Sequence, residues 1–275
     1  MDDALRDGVI DIARRAAAAI LAVYDSASFE KDAAVRHKDD HSPLTAADLA
    51  AHRCIVEGLR DLTPGIPVLS EESRDADIAE RRAWTRLWVV DPLDGTREFV
   101  KRNGEFTVNI ALIEDHRPTV GVVYAPALDT LYSAAEGLGA WRQDAEHLLP
   151  EPIGVRVIPV VDGLPRYTIV ASRRSGLDKL EPLLAKLQHY ELTNVGSALK
   201  ICLVAEGKAD LYPRLGPTSE WDTAAAQCIL EEAGGVLCDS QFCRFVYNAK
   251  DSLLNPYFYA WGGSAQLLAA ALLTP

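Results

Sequence analysis

The sequence predicts an α+β first half joined to an α/β second half. Three observations carry that expectation. Two early stretches show helical periodicity, a series of short β-rich runs broken by turn residues follows, and after about residue 150 the pattern changes to alternating strands and helices. The two units are residues 1–150 and 151–275, and no repeat, low-complexity tract or linker composition separates them, so they are expected to pack tightly and share a cleft. With 275 residues, 48% of them hydrophobic, the chain has enough apolar surface for a large core or two interlocked ones.

Residues 3 to 24 place Leu5, Val9, Ile12, Ala16, Ile20 and Val23 at helical spacing, with Arg14 and Arg15 on another face. A second helix is expected in HSPLTAADLAAHRCIVEGLRDL, where Thr45 as N-cap and Asp48 three residues on approach a capping box and Leu49, Ile55 and Leu59 continue the apolar face. Then IPVLSEES, TRLWVVD, EFTVNIALIED, PTVGVVYAP and DTLYSAAE read as a meander of largely antiparallel strands. In the second half, strands YTIVAS, ELTNV, ADLYP and GVLCD alternate with helices LDKLEPLLAKLQ, SALKICLVAEG and WDTAAAQCILEEAG, which predicts a sheet that is at least partly parallel.

Composition removes some functions. A net charge of −12 argues against a general nucleic-acid binder, which needs a basic stripe to displace counterions. The same charge suits an anionic substrate only if bound divalent cations present positive charge locally. The N-terminus MDDALRDGVIDIARR has neither the basic start nor the apolar core of a secretory signal, and AAAAILAV is too short to span a bilayer. A cytoplasmic protein with no transmembrane segment is expected; monomer and homodimer both stay open, as does peripheral contact with the inner face of the cell membrane. The cysteines Cys54, Cys202, Cys228, Cys238 and Cys243 are odd in number and lack a zinc-ligand set, which fits reduced thiols.

Acidic residues gather at the ends of elements, where a rigid scaffold usually places function. SEES sets Glu71 and Glu72 after the strand PVL. WVVDPLDGTREF sets Asp91 and Asp94 after the strand LWVV, with the Leu93 carbonyl between them and Pro92 stiffening the loop. Asp222 opens the helix WDTAAAQCILEEAG. Singly, each has an ordinary reading: solvated glutamates, turn-forming aspartates, an N-cap. Together they supply oxygen ligands from several segments, as hard cations clamping a phosphoryl group require. Gly95 lets a phosphate approach the backbone, and Thr96 offers a hydroxyl to hold a water, at a helix start whose amides favour anions.

SEES, WVVDPLDGT and WDTAAAQCILEEAGG, in that order, resemble the three signature blocks of the lithium-sensitive, magnesium-dependent phosphatases that include inositol monophosphatase. KDDHSPLTAADLAAH, TREFVKRNGEFTVNIALI, GVVYAP, GSALKICLVAEGKADLYPRLGPTSEWDTAA and LLNP are more similar to the bacterial 3′(2′),5′-bisphosphate nucleotidases of that family, which remove the 3′-phosphate of 3′-phosphoadenosine 5′-phosphate to leave AMP. The resemblance implies a layered α-β-α-β-α sandwich like that of inositol monophosphatase and fructose-1,6-bisphosphatase. It implies Mg²⁺ at two or more sites, held by Glu71, Asp91, the Leu93 carbonyl, Asp94 and Asp222, and inhibition by Li⁺. It also implies that Thr96, aided by Glu71 or Asp48, positions the attacking, metal-activated water. Glu71, Leu93, Asp94, Gly95, Thr96, Ser197, Lys200 and Asp222 then contact a small phosphorylated nucleotide, with Lys200 at the second phosphate. An ordinary reading of Lys200 is a solvated helix lysine. Ser172, Arg173 and Arg174 resemble a nucleotide-proximal Ser-Arg motif, and Lys101 and Arg102 read as steering charges or plain surface. Two departures stand out: Ala226 where the family usually has glycine, and SQFCRFVYN without its expected turn glycine, near Phe242. Rival readings are an inositol or sugar-phosphate phosphatase of the same fold and a non-catalytic nucleotide or metal sensor.

Overall fold

Helix α1 (Asp3–Tyr24) turns Val9, Ile12, Ala13, Ala16 and Ile20 inward, and α2 (Ala46–Leu62) buries Ala47, Ala51, Ile55 and Leu59. These positions were drawn from a computed structural model that describes residues 3–26, 36–37, 43–73, 77–172, 177–187 and 189–263. Leu49, expected on the inner face of α2, is exposed, because it lies roughly 200° around the helix from the buried Ala47. Thr45 is the N-cap of α2, and the Asp48 carboxylate accepts from its amide to complete the capping box.

Between these helices the short strands β1 (Arg36–His37) and β2 (Pro43–Leu44) pair antiparallel, and both helices cover one face of a seven-stranded sheet. Its strands are β3 (Val68–Ser70), β4 (Arg86–Asp94), β5 (Thr107–Glu114), β6 (Arg117–Ala125), β7 (Thr130–Ala135), β8 (Ala140–Gln143) and β9 (Glu151–Ile153), in that order. Only β3 runs parallel to its neighbour; the others form the expected antiparallel meander, which β8 and β9 extend beyond the runs legible in the sequence. Side chains alternate across the pleat. Trp88 and Val90 of β4 face α1 and α2, whereas Leu87 and Val89 face the opposite way.

That opposite face packs on helices α6 (Leu199–Ala205) and α7 (Glu220–Glu232), numbered here after the short helices α3 (Ile78–Arg82) and α4 (Thr96–Val100) and the outer helix α5 (Leu177–Leu184). Beyond them lies a five-stranded sheet of β12 (Tyr167–Ala171), β13 (Tyr190–Asn194), β14 (Leu211–Arg214), β15 (Val236–Asp239) and β16 (Phe258–Trp261), in the order β13-β12-β14-β16-β15. Two strand pairs in it are parallel, and β16 enters antiparallel between β14 and β15. Its far face, through Tyr167, Ile169, Leu211 and Trp261, buries Leu180 and Leu184 of α5. The result is the five-layered α-β-α-β-α sandwich. Each fully buried Leu, Ile, Val or Phe contributes about 1.5–3 kcal/mol, against about 1 kcal/mol for a helix cap, so the three cores stabilise the stack while caps fix where helices begin.

The close approach of α7 to the first sheet depends on one residue. A Cβ at Gly121 of β6 would lie 2.3 Å from the Ala225 carbonyl oxygen and 2.8 Å from Cys228 Cβ. Small side chains on the helix, Ala224, Ala225 and Ala226, complete the fit, so Ala226 is accommodated as a buried packing residue. The glycine-free segment after β15 is equally well accommodated: Phe242 itself takes the left-handed conformation, φ 62°, and its ring stacks on Tyr259. Among the described residues no helix is long and apolar enough to cross a membrane, and Cys54, Cys202, Cys228, Cys238 and Cys243 are free thiols.

Candidate active site

Strand β4 is interior to its sheet and ends in DPLD. Asp91 pairs with Asn109 and Asp94 with Thr107, so the β4 side has one residue more between pairs than β5 has, and the ladder bulges there. Pro92 has no amide to offer the ladder, and the Leu93 amide instead donates to Asp91 Oδ1 at 3.0 Å. Gly95 then turns the chain with φ 85°, where a Cβ would sit 3.1 Å from the Glu105 carbonyl oxygen. Helix α4 starts at Thr96, whose hydroxyl lies 3.3 Å from both the Leu93 carbonyl and Asp48 Oδ1. Its single proton serves one of them at a time. Asp48 is buried in the first turn of α2, and its other oxygen accepts from the Thr45 amide at 2.8 Å and the Thr45 hydroxyl at 2.5 Å.

Asp222 arrives from the second half. Ser219, not Asp222, is the N-cap of α7; Asp222 is the acidic residue three positions on, accepting from the Ser219 amide at 2.7 Å. This arrangement repeats the Thr45–Asp48 pair, so the same capping geometry orients a carboxylate at each helix start. The three aspartates converge: one carboxylate oxygen each of Asp91, Asp94 and Asp222 lies within 4.8 Å of the others. Asp94 also accepts from the Ala198 amide at 2.6 Å and from Asn109 Nδ2 at 3.4 Å.

Gathering carboxylates away from water has an electrostatic cost. Desolvation, then the charges of Asp94 and Glu71, push Asp222 up to about 7. Desolvation likewise raises Asp94, opposed mainly by the Lys200 ammonium. A divalent cation would relieve both, and three carboxylate oxygens at such spacing match its preference for hard ligands, so the residues present fit a Mg²⁺-type ion. Glu71 stands outside that triad, in the turn after β3, where its amide donates to the Val90 carbonyl at 3.1 Å; its charge reaches both Asp94 and Asp222.

The GSALK loop lies against this corner. Ser197 holds a left-handed φ of 48°, near Gly95, and its carbonyl accepts from Lys200 Nζ. Lys200 is not the solvated helix lysine of the ordinary reading: it is 5% exposed, its ammonium lies 5.3 Å from the centre of the Tyr212 ring, and burial lowers it to about 8. Other candidates separate. Arg102 donates to the Tyr24 carbonyl and stacks over its ring, so it clamps the end of α1, whereas Lys101 is exposed. Ser172 follows β12, and Arg173 and Arg174 lie outside the described residues. Asn109, in contact with Asp94, was missed; its signal is a polar residue fully buried within the apolar run TVNIALI.

A model of the inositol monophosphatase family matches residues 3–273. The chain belongs to that family. It is 51% identical over 251 residues to the 3′(2′),5′-bisphosphate nucleotidase CysQ of Salmonella typhimurium, across 91% of this chain and 96% of the relative. It is 49% identical over 253 residues to the protein of the same name from Escherichia coli strain K12, across 92% and 97%. Among solved structures, CysQ from Bacteroides thetaiotaomicron superposes with a TM-score of 0.78 at 43% identity, covering 94% of this chain and 96% of that one. The inositol monophosphatase from Anabaena (Nostoc) sp. superposes with a TM-score of 0.71 at 26% identity, covering 98% and 95%. The signature blocks read from the sequence are therefore those of an inositol monophosphatase family member, and the five layers are that family's fold.

Proposed function

We propose that this chain is a Mg²⁺-dependent 3′(2′),5′-bisphosphate nucleotidase that hydrolyses the 3′-phosphate of 3′-phosphoadenosine 5′-phosphate, giving AMP and inorganic phosphate. The observation that carries the reading is the convergence of Asp91, Asp94 and Asp222 beside the buried Lys200, in a chain about half identical to CysQ nucleotidases. Asp91, Asp94, Asp222, Glu71 and the Leu93 carbonyl would hold two or more Mg²⁺. When bound, these ions would neutralise charge on the phosphoryl and leaving oxygens and make water a better nucleophile.

The chain's own residues supply the proton path. Asp48, fixed by Thr45, leaves Oδ1 directed at the Thr96 hydroxyl. A water that donates to Thr96 Oγ1 can pass its proton there as the threonine passes its own to Asp48, while the water oxygen forms a bond to phosphorus and the P–O3′ bond breaks. The leaving 3′-oxygen then takes a proton from solvent water, the proton held by Asp48 returns to solvent, and no covalent enzyme intermediate is needed. Thr96 is too weak a base to act alone, which is why a carboxylate held in contact with it matters. Glu71, in the turn after β3, is the alternative proton acceptor. Gly95 faces the Glu105 backbone and Ser197, so its part is to turn the chain into α4 beside the phosphate, and Ser197 and Lys200 support the reading of a second phosphate on the GSALK side. Lithium inhibition belongs to the same reading.

The test is phosphate release by the purified protein with 3′-phosphoadenosine 5′-phosphate, inositol 1-phosphate and fructose 1,6-bisphosphate, each with Mg²⁺ and with EDTA. Strong nucleotide preference lost on chelation is the expected result. Preference for a sugar phosphate would keep the mechanism and overturn the substrate, and turnover of none of them would leave a nucleotide or metal sensor. In the same assay Lys200→Ala should lower kcat/KM for the bisphosphorylated nucleotide about tenfold more than for inositol 1-phosphate, a difference of about 1.4 kcal/mol. Equal losses on both would remove Lys200 from the second phosphate.

A further inference from the structure

The LLNP segment has no place in the site described so far, yet it lies directly against the start of α7. Asn255 donates its backbone amide to the Thr218 carbonyl at 2.8 Å. Its side-chain Nδ2 faces the Ser219 carbonyl at 2.6 Å, Thr223 Oγ1 at 3.1 Å and Thr218 Oγ1 at 3.2 Å, three acceptors for two hydrogens. Ser219 and Thr223 flank Asp222 in the chain, and the Ser219 amide is the donor that orients its carboxylate. A single amide group therefore braces the turn that aims Asp222.

The segment just before it ties that turn to the other half. Glu220, fully buried, has one carboxylate oxygen held by the Asn248 amide at 2.7 Å and the other by Lys250 Nζ at 2.6 Å. The Asn248 side chain faces the other way, accepting from Arg81 Nη1 at 2.6 Å and donating to the carbonyls of Arg81 at 2.7 Å and Trp84 at 3.3 Å. Arg81, itself buried in α3, also donates to the Lys250 and Asp251 carbonyls. Asn248 adopts a left-handed φ of 54°, a conformation asparagine tolerates better than most residues. Trp84 lies two residues before β4 begins.

We infer that Asn248 and Asn255 are positioning residues for the cation site: the 248–255 strap fixes the first turn of α7 against the entrance of β4, and so sets Asp222 against Asp91 and Asp94. The inference rests on the reading of Asp222 as a cation ligand. Hydrogen-bonded partners behind metal ligands act in this way, by removing alternative orientations that would have to be frozen out on binding.

The test measures Mn²⁺ bound by the resting protein, from the loss of the free-ion EPR signal, alongside the Mg²⁺ dependence of turnover. Asn255→Ala should weaken Mn²⁺ binding by about 10–100-fold, the range typical of such partners. It should raise the Mg²⁺ needed for half-maximal rate correspondingly, with most of kcat recovered at saturating Mg²⁺. Asn255→Asp, which keeps the shape but loses the N–H donors, should behave like Asn255→Ala. Asp251→Ala removes only an exposed ion pair with Arg82 and serves as the control. Mn²⁺ affinity within twofold of wild type in a folded Asn255→Ala protein would overturn the inference, even if its Tm fell, because bracing alone would then be structural. Asn248→Ala tests the other end of the strap, and if it does not fold, Asn255→Ala decides. Asp222→Asn separates the two readings: if it too leaves Mn²⁺ binding intact, the assignment of Asp222 as a ligand fails; if it alone abolishes binding, only the strap fails.

Discussion

The aspartates of β4 and the aspartate of α7 reach one point by different routes. Asp91 and Asp94 sit on an interior strand, three residues apart, and their relation is fixed by local means: a proline, a bulge, an Asx contact to Leu93 and a left-handed glycine. Asp222 comes from a helix whose place depends on packing against Gly121 and on buried polar contacts with residues far away in sequence. The first geometry is written into five consecutive residues, Asp91 to Gly95, whereas the second exists only once both sheets have assembled. Changes in the β4 corner should therefore remove chemistry and leave the fold, while changes around α7 should act through geometry and be partly reversible by more metal.

The largest effect is expected in the first class. Asp94→Asn should lower turnover by at least about 10³-fold, since a ligand is lost and the electrostatic term is usually the largest in such sites. The fold should be retained, because the carboxylate is already disfavoured by desolvation and the amide keeps an oxygen to accept from the Ala198 N–H. A fully active Asp94→Asn would break the comparison at its root. Thr96→Ala comes next, with kcat reduced by about 10²-fold or more and KM little changed, as for loss of a general acid–base relay. Thr96→Ser should recover much of it, since the hydroxyl remains within reach of Asp48. If serine fails and alanine fails alike, the methyl group and not the proton path is what matters there.

Gly121→Ala probes the second class. The new Cβ meets the Ala225 carbonyl, which cannot rotate away, so α7 must shift. Overpacking of this kind costs about 1–3 kcal/mol, and the Tm should fall by several degrees. If Asp222 depends on assembly, the Mg²⁺ requirement should rise in the same variant while the pKa-independent kcat at saturating Mg²⁺ is largely kept. A loss of stability with no change in Mg²⁺ requirement would show that α7 tolerates movement and that its placement is not limiting.

What could be read in advance follows the same division. The longer helices, most of the meander and the alternating second half were legible because each has its own periodicity, whereas the one-turn helix Ile78–Arg82 is too short to show one; the Thr45–Asp48 cap was legible because a capping box is local. The carboxylates were legible as a set through the signature blocks. The β10–β11 hairpin (Val160–Val161 and Leu164–Pro165) passed unread although Asp162-Gly163 between its strands is a strong turn signal. Strand β16 was missed for a different reason: four residues with no alternation become a strand only because β14 and β15 leave a gap between them. Asn109 at least stands out as a polar residue inside the apolar run TVNIALI, whereas Asn248 and Asn255 were missed because an asparagine's role lies in which distant groups it meets, and nothing in their neighbours' identity shows that.

The smallest expected effect concerns pH, and it bears on whether Asp222 is held under electrostatic load before metal arrives. Its carboxyl is raised from an ordinary 3.8 to about 7, first by desolvation and then by Asp94 and Glu71. A carboxyl raised in the folded state favours folding while it is protonated, so its contribution is fully present below about pH 4 and is lost as pH rises through about 7. Without metal, stability from this group should therefore decline between those values. Mg²⁺ reverses the sign of the trend, because at about pH 6 it must displace a proton from Asp222 and at about pH 8 it need not. The rise in Tm on adding Mg²⁺ should be a few degrees larger at pH 8 than at pH 6, as read by calorimetry, and the difference should shrink in Asp222→Asn. If the Mg²⁺-induced rise is the same at both pH values in the wild type, Asp222 is already ionised in the metal-free cleft. The β4 and α7 carboxylates would then be held too far apart, or too well hydrated, to load one another.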